Sequence, residues 1–124
     1  MTKQNEAVFP FENGKLQIIY ENDEFKIAAG KVKGNNNPIS IGVRWCVSNL
    51  SNGIKHRGFP YMQGDNGITK CWFIIPNDLA IYLLMGIKDK KQNAIEDAQN
   101  KIYEVLQILI KQEQERVNRT MDSQ

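Results

Sequence analysis

The residues best suited to chemistry in this chain are cations that lie close to aromatic side chains. They are most concentrated in residues 54–62, IKHRGFPYM, where Lys55 and Arg57 precede Phe59 and Tyr61. Such a segment can hold a nucleic-acid strand, because cations neutralise backbone phosphates and aromatic rings stack on bases. It can equally be an ordinary surface loop, so its meaning depends on the elements that position it.

Catalysis and metal binding find little support in the residue pattern. The single histidine, His56, has no nucleophile arranged near it, no glycine-rich phosphate loop precedes a helix, and no paired carboxylates share a strand face. Cys46 and Cys71 make no zinc spacing with it, since such a site needs about four ligands. We therefore expect no enzymatic activity, no metal and no cofactor, with both cysteines as reduced, buried or half-buried thiols.

The composition is that of one soluble globular domain. The 124 residues are 41% hydrophobic and 24% charged, and the formal charge of +2 is too small to indicate nucleic-acid binding unless the cations are clustered. No apolar run approaches the roughly 20 residues of a membrane span, and the N-terminus lacks signal-peptide order, so we expect a cytoplasmic protein. We expect an N-terminal extension over 1–13, a single domain over 14–118 and a disordered tail over 119–124.

Alternating apolar residues predict four strands, over residues 14–20, 24–32, 38–47 and 67–75. In the first strand, Leu16, Ile18 and Tyr20 share one side, which we expect to face the helices. The connection between the third and fourth strands spans about 19 residues, 48–66, and connections of that length in a compact domain are usually functional or mobile.

The period changes after Pro76, where helical spacing begins. A first helix is predicted over 78–87 with Asn77 as its N-cap, and a second over roughly 90–118. The second helix has a coiled-coil seam with spacings of three and four residues, made of Ile95, Ala98, Ile102, Val105 and Leu109. This seam fits a helix that packs on its own sheet, and it fits equally a helix that also pairs with a second copy as a dimer interface.

Four strands followed by helices predict an α+β domain, in which a curved four-stranded antiparallel sheet precedes two C-terminal helices that cover one face. The opposite face would then carry five residues suited to nucleic acid, namely Lys15, Lys26, Arg44, Lys70 and Trp72. The turn residues Lys31 and Lys33 and the loop residues Lys55, Arg57, Phe59 and Tyr61 would extend this basic surface. Two other interpretations stay open, namely that Trp72 is buried and that the face packs on another subunit.

Two segments resemble the single-stranded-DNA-binding domain of the PC4 transcription coactivator family. Residues 39–46, ISIGVRWC, are similar to a strand of that family that ends in a basic residue and tryptophan, and residues 67–87, GITKCWFIIPNDLAIYLLMGI, are similar to its final strand, proline cap and helix. The resemblance implies that Arg44, Lys70, Lys31 and Lys33 contact DNA and that the helix helps to form a homodimer. The related Whirly fold also places strands before helices.

Two functional hypotheses follow from the sequence. The first is a non-catalytic homodimer that grips single-stranded nucleic acid, expected to be DNA, on the basic sheet face during replication, recombination or transcription. The alternative is a small protein–protein interaction module, an adaptor or inhibitor, that uses the 48–66 loop and the C-terminal helix to hold its partner.

Overall fold

The computed structural model describes residues 9–45, 48–49, 55–56, 60–64, 67–90 and 93–122. Its long elements are the strands β1 (Phe11–Glu21), β2 (Phe25–Val32) and β3 (Ser40–Trp45) and the helices α1 (Asn77–Ile87) and α2 (Ala98–Asp122). Short strands follow β3, in the order β4 (Ser48–Asn49), β5 (Lys55–His56), β6 (Tyr61–Gly64), β7 (Gly67–Lys70) and β8 (Phe73–Ile75). No helix in the described ranges is long and apolar enough to cross a membrane.

The main sheet has the strand order β1-β2-β3-β8, and each pair is antiparallel. It is curled into a half-barrel, and the two helices follow it in the chain, which confirms the predicted α+β class. The predicted fourth strand divides in two, because residues 67–70 pair with β6 in a separate hairpin and only β8 joins β3. A second small pair, β4-β5, also lies within the predicted 48–66 connection.

The helices cover one face of the sheet and enclose the larger hydrophobic core. From the sheet it takes Ile27, Ala29 and Ile41, as the alternation on β2 and β3 predicts. The helices contribute Ala80, Leu84, Ile87, Ile102, Val105, Leu106 and Leu109. Within the predicted seam of α2, Ile102, Val105 and Leu109 are buried against the sheet and Ala98 packs beside them, while Ile95 is half-buried before the helix begins. The seam residues therefore pack within the chain's own core, and their assignment as a dimer interface is corrected.

The opposite face of the sheet is covered as well, so the predicted open face is not open. Phe11, Ala28 and Trp72 form a second buried cluster, and Leu16 and Ile18 pack against it. Leu16 and Ile18 were expected to face the helices, but a β-bulge between Ile18 and Tyr20 inserts one residue and reverses the alternation. Tyr20 beyond the bulge does face the helix-side core.

The start of β1 closes this second cluster. Trp72 N donates to Phe9 O at 3.0 Å, and Lys33 N donates to Pro10 O at 3.1 Å, so the chain crosses the sheet face at residues 9–11. Phe11 then lies directly over Gly42, where an added Cβ would be 3.0 Å from the Phe11 ring and 3.0 Å from Trp72 Cβ. Glycine at position 42 thus allows the two aromatic side chains to pack on the strand.

Gly42→Ala is expected to lower the free energy of unfolding by about 1–3 kcal/mol, because the extra methyl group overpacks the cluster. Urea denaturation followed by circular dichroism in dilute solution measures the change. Gly86→Ala is the matched control, since an added Cβ there meets nothing within 4 Å and alanine favours the helix. Equal stability of the Gly42→Ala variant and the wild type would contradict the close packing.

The boundaries of the elements differ from the sequence expectations at four points. Asn77 does not cap α1 through its side chain, because its Oδ1 accepts from Gln112 Nε2 at 2.8 Å while its Nδ2 donates to Leu109 O at 3.0 Å, and Pro76 is the N-cap residue. The chain before α2 is not helical from residue 90, because Asn93 accepts from Glu21 N at 3.0 Å and donates to Ile19 O at 2.9 Å, which ties this segment to β1. At the two ends of the domain, β1 begins at Phe11 within the expected extension and α2 continues to Asp122 within the expected tail.

Candidate nucleic-acid interface

Arg44 lies on the predicted face of β3, but its side chain is only 5% exposed. Its Nη1 donates to Pro60 O at 3.1 Å and to Cys71 O at 2.5 Å. Pro60 O also accepts from Cys71 N at 3.2 Å, so the guanidinium joins β3 to the chain on either side of the β6-β7 hairpin. Arg44 therefore stabilises the fold from inside, and its predicted contact with phosphate on an open face is corrected.

Cys71 shares this buried region and is a free thiol. Burial raises the pKa of the Cys71 thiol, and the positive charge of Arg44 offsets part of that increase. The thiol is thus held in its protonated form, as expected for a structural cysteine. Cys46 lies outside the described residues, so the same expectation for it stays a prediction.

Trp72 is also buried, with 5% of its surface exposed. Its ring packs edge-to-face against Phe11, with the centroids 6.0 Å apart and the planes at 73°. An indole held in this way cannot stack on a base, so the structure corrects the prediction that Trp72 is a stacking residue and supports the interpretation that it is buried.

The predicted lysines are separated in the structure. Lys26 is half-buried opposite Arg44 in the β2-β3 register, and Lys70 is half-buried at the end of β7. Lys31 donates from Nζ to the carbonyl of Asn35 and to that of Asn37, the latter at 3.1 Å, and so holds the turn between β2 and β3 together. Lys33 is exposed on that turn.

The remaining predicted site residues belong to the part of the chain that is not described. Arg57 and Phe59 lie outside the described residues, and so do the side chains of Lys15, Lys55 and Tyr61. Their assignment to a nucleic-acid surface stays a prediction. Among the residues that the structure describes, no group of three His, Cys, Asp or Glu side chains could hold a metal ion.

Two exposed aromatic side chains lie on the helix side of the sheet, where the helices leave it uncovered. Trp45 at the end of β3 is 48% exposed, and Phe73 at the start of β8 is 46% exposed. Phe73 pairs with Val43, so Trp45 is its diagonal neighbour on the same face, a position about 7–8 Å away in an antiparallel pair. We call Trp45 and Phe73 the aromatic pair.

The aromatic pair is not among the site residues predicted from the sequence. Alternation placed Trp45 and Phe73 on the apolar side of their strands, and it treated that whole side as covered by helices. The available signal was position, because Trp45 is the last residue of β3 and Phe73 is the first of β8, so both lie at the end of the sheet opposite to the one where β8 leads into α1. Side chains at the end of a sheet need not be covered even on its apolar face.

Charges of both signs flank this end of the sheet. Phe25, the register partner of Trp45, is followed by Lys26, and Lys70 precedes Phe73 by three residues. Neither lysine forms an ion pair with a described residue. The β1-β2 turn nearby is acidic, since Glu21, Asp23 and Glu24 line an open pocket of about 670 Å³ together with Lys90. Lys26, as the register partner of Arg44, lies on the opposite face of the sheet from the aromatic pair, so an anionic ligand on the pair would reach it only around the end of the sheet.

Comparison with known proteins adds no relative to this picture. The chain matches no protein-family model, no curated protein and no solved structure. The resemblance to the PC4 family thus depends on residues 39–46 and 67–87 alone, and in the structure Arg44 and Trp72 of those segments point into the interior.

Proposed function

We propose that the protein is a non-catalytic, cytoplasmic homodimer that binds single-stranded nucleic acid, with DNA as the expected strand. The observation that supports this most directly is the aromatic pair, in which two half-exposed side chains are diagonal neighbours on adjacent strands. Exposed aromatic rings on a sheet are the feature that single-strand-binding proteins use to stack successive bases. Replication, recombination or transcription would be the setting.

In this proposal the bases stack on Trp45 and Phe73, and the backbone passes around the end of the sheet, so that its phosphates approach Lys26 on the opposite face and Lys70 at the end of β7. Lys33 lies at the far end of β2, about 25 Å along the strand, so only a longer oligonucleotide would reach it. The predicted loop residues Lys55, Arg57, Phe59 and Tyr61 stay part of the proposal as a flap over the bound strand. Arg44 and Trp72 take no part, since both are buried.

Trp45→Ala and Phe73→Ala are each expected to weaken oligonucleotide binding by about 5- to 150-fold, because one stacked base contributes about 1–3 kcal/mol. Fluorescence anisotropy of a labelled oligonucleotide at low and moderate salt measures the affinity. Tyr103→Ala is the matched control, since Tyr103 is 58% exposed on α2, away from the aromatic pair. Affinity should also fall with salt in the wild type, and Lys26→Glu with Lys70→Glu should reduce it further.

The two tryptophans of the chain allow a direct reading of stacking. With Trp72→Phe only the exposed Trp45 emits, and added oligonucleotide should quench that emission. With Trp45→Phe only the buried Trp72 emits, and its emission should stay constant. No binding at low salt, or quenching in the second variant alone, would show that the aromatic pair is not the site.

A protein–protein interaction module is the second candidate. It is favoured by apolar side chains exposed on both helices, among them Leu79 and Tyr82 on α1 and Tyr103 and Ile108 on α2. Purification from the native cell discriminates between the two. A stoichiometric protein partner without nucleic acid would favour the interaction module, whereas a high ratio of absorbance at 260 nm to that at 280 nm would favour strand binding.

A further inference from the structure

A small pocket lies at the end of the sheet where the β2-β3 turn meets the start of α1. Its polar lining comes from Asn35 and Asn37 of the turn, Ser40 of β3 and Asn77 of α1, and Ile74 also lines it. We call it the turn pocket. Its volume of about 220 Å³ is smaller than the roughly 300–1,000 Å³ of pockets that hold drug-sized ligands. The turn pocket therefore suits a small polar group.

Ser40 is the residue of the turn pocket that indicates a ligand. It is only 6% exposed, and its hydroxyl has no hydrogen-bond partner among the described residues. The Ser40 side chain shares a face of β3 with Gly42, and Gly42 pairs with Ile74, so Ser40 and Ile74 lie on the same side of the sheet. Since no side-chain oxygen of the described residues is both fully buried and unpaired, the Ser40 hydroxyl reaches the pocket.

Asparagine amides and a helix N-terminus add donors and positive potential to the turn pocket. Asn35 Oδ1 accepts from Asn37 N at 2.8 Å, which leaves the Asn35 amide nitrogen without a partner among the described residues. Asn77 is the first residue of α1, and its side chain is held by Leu109 and Gln112. Asn77 therefore brings to the pocket the N-terminus of an 11-residue helix, which carries a positive partial charge.

The ammonium group of Lys31 lies beside the turn pocket. Its Nζ donates to Asn35 O and to Asn37 O, the latter at 3.1 Å, so it is fixed next to two of the lining residues. Lys31 forms no ion pair with a described residue, so no carboxylate among them neutralises its charge. Lys33 is exposed on the same turn and adds a second positive charge. The electrostatic potential on the turn side of the pocket is therefore positive.

The carboxylates on the α1 side of the turn pocket both interact with Arg116. Glu113 accepts from Asn77 Nδ2 at 3.4 Å and forms an ion pair with Arg116 at 2.6 Å. The pKa of Arg116 is raised by Glu113 and, to a smaller extent, by Asp78, which follows Asn77 in the chain. Arg116 thus offsets part of both negative charges. Because no described residue that lines the turn pocket is acidic, the pocket favours an anion over a cation.

We propose that the turn pocket binds a small oxyanion, namely free phosphate or the phosphate group of a small phosphate monoester, with the Ser40 hydroxyl as a direct donor. A phosphate group presents several acceptor oxygens and negative charge, which match a hydroxyl, amide donors and a helix N-terminus. The site is separate from the aromatic pair, because Ser40 begins β3 and Trp45 ends it. The proposal does not depend on strand binding, and either can fail without the other.

Titration of ¹⁵N-labelled protein with inorganic phosphate, at an ionic strength kept constant with chloride, tests the site by NMR. The backbone amide signals of Asn35, Asn37, Ser40 and Asn77 should shift and saturate. Ser40→Ala should weaken the binding about tenfold or more, because it removes one hydrogen bond to a charged group, and its circular dichroism spectrum should be unchanged. Asn36→Ala is the matched control, since Asn36 is exposed on the same turn and does not line the turn pocket.

Two further titrations identify the source of the phosphate group. Glycerol phosphate carries a phosphate monoester, whereas an oligonucleotide without terminal phosphates carries only diesters. Glycerol phosphate should shift the same signals as inorganic phosphate, and the oligonucleotide should not. Shifts that do not saturate, equal phosphate affinity in Ser40→Ala and the wild type, or shifts with the oligonucleotide alone would overturn the proposal. Ser40→Ala should keep the wild-type affinity for the oligonucleotide, which separates this site from strand binding.

Discussion

Arg44→Met is expected to lower the free energy of unfolding by about 3 kcal/mol, although the arginine was predicted to be a surface contact for phosphate. Methionine keeps much of the aliphatic stem but leaves the carbonyls of Pro60 and Cys71 without their charged donor. Hydrogen bonds from a charged group each contribute about 1.5–3 kcal/mol, and the relief of burying a charge offsets part of the loss. Urea denaturation monitored by circular dichroism measures the difference.

Lys26→Met is the matched control for Arg44, because Lys26 is its direct register partner on β2 and is only half-buried. It should change stability by no more than about 0.5 kcal/mol, as expected for a substitution near the surface. The affinity for an oligonucleotide should show the reverse order of effects. The folded Arg44→Met protein should keep its affinity, whereas Lys26→Met should lose part of it. Wild-type stability together with lost binding in Arg44→Met would show that Arg44 contacts the ligand after all.

Trp72→Ala is expected to lower the free energy of unfolding by about 3–5 kcal/mol, the usual range for removing a large buried aromatic side chain. The change removes the ring that packs against Phe11 and leaves a cavity between the sheet and the start of β1. Trp72→Phe should cost considerably less, because a smaller ring still fills part of the space. Thermal and urea denaturation should rank the three proteins in the order wild type, Trp72→Phe and Trp72→Ala.

The same substitution at the other tryptophan separates a core role from a surface role. Trp45→Ala should cost less than about 1 kcal/mol, because half of that side chain is in solvent, yet it should be the variant that loses oligonucleotide affinity. If Trp72→Ala were as stable as Trp45→Ala, the second core would not exist as described, and the face would again be open to ligand.

Local alternation predicted the sheet well where the strands are regular. On β2 and β3 the apolar side chains Ile27, Ala29 and Ile41 face the helices as expected. On β1 the same argument assigned Leu16 and Ile18 to the wrong face, because the bulge before Tyr20 changes the register. A bulge adds a residue to one strand only, and its position depends on the partner strand, so alternation within β1 does not reveal it.

The candidate site was predicted less well, because burial depends on distant parts of the chain. The sequence placed Arg44 and Trp72 on the correct face of the sheet, but residues 9–11 cross that face and close it. The sequence predicts Lys31 as a DNA contact, whereas its ammonium group donates to the turn carbonyls of Asn35 and Asn37. Such contacts arise from the path of the chain, which residue types and spacing do not specify.

The sequence by itself determined the α+β class, the strands of the sheet and the two helices, because each of these depends on the periodicity of neighbouring residues. Only the tertiary structure decided which surfaces reach solvent. The apolar seam of α2 packs against the sheet, whereas Leu79, Tyr82 and Met85 on the outer side of α1 stay exposed. Periodicity identifies an apolar stripe on a helix or strand. The hydrophobic effect favours burial of that stripe against any complementary surface, so only the three-dimensional arrangement determines which surface buries it.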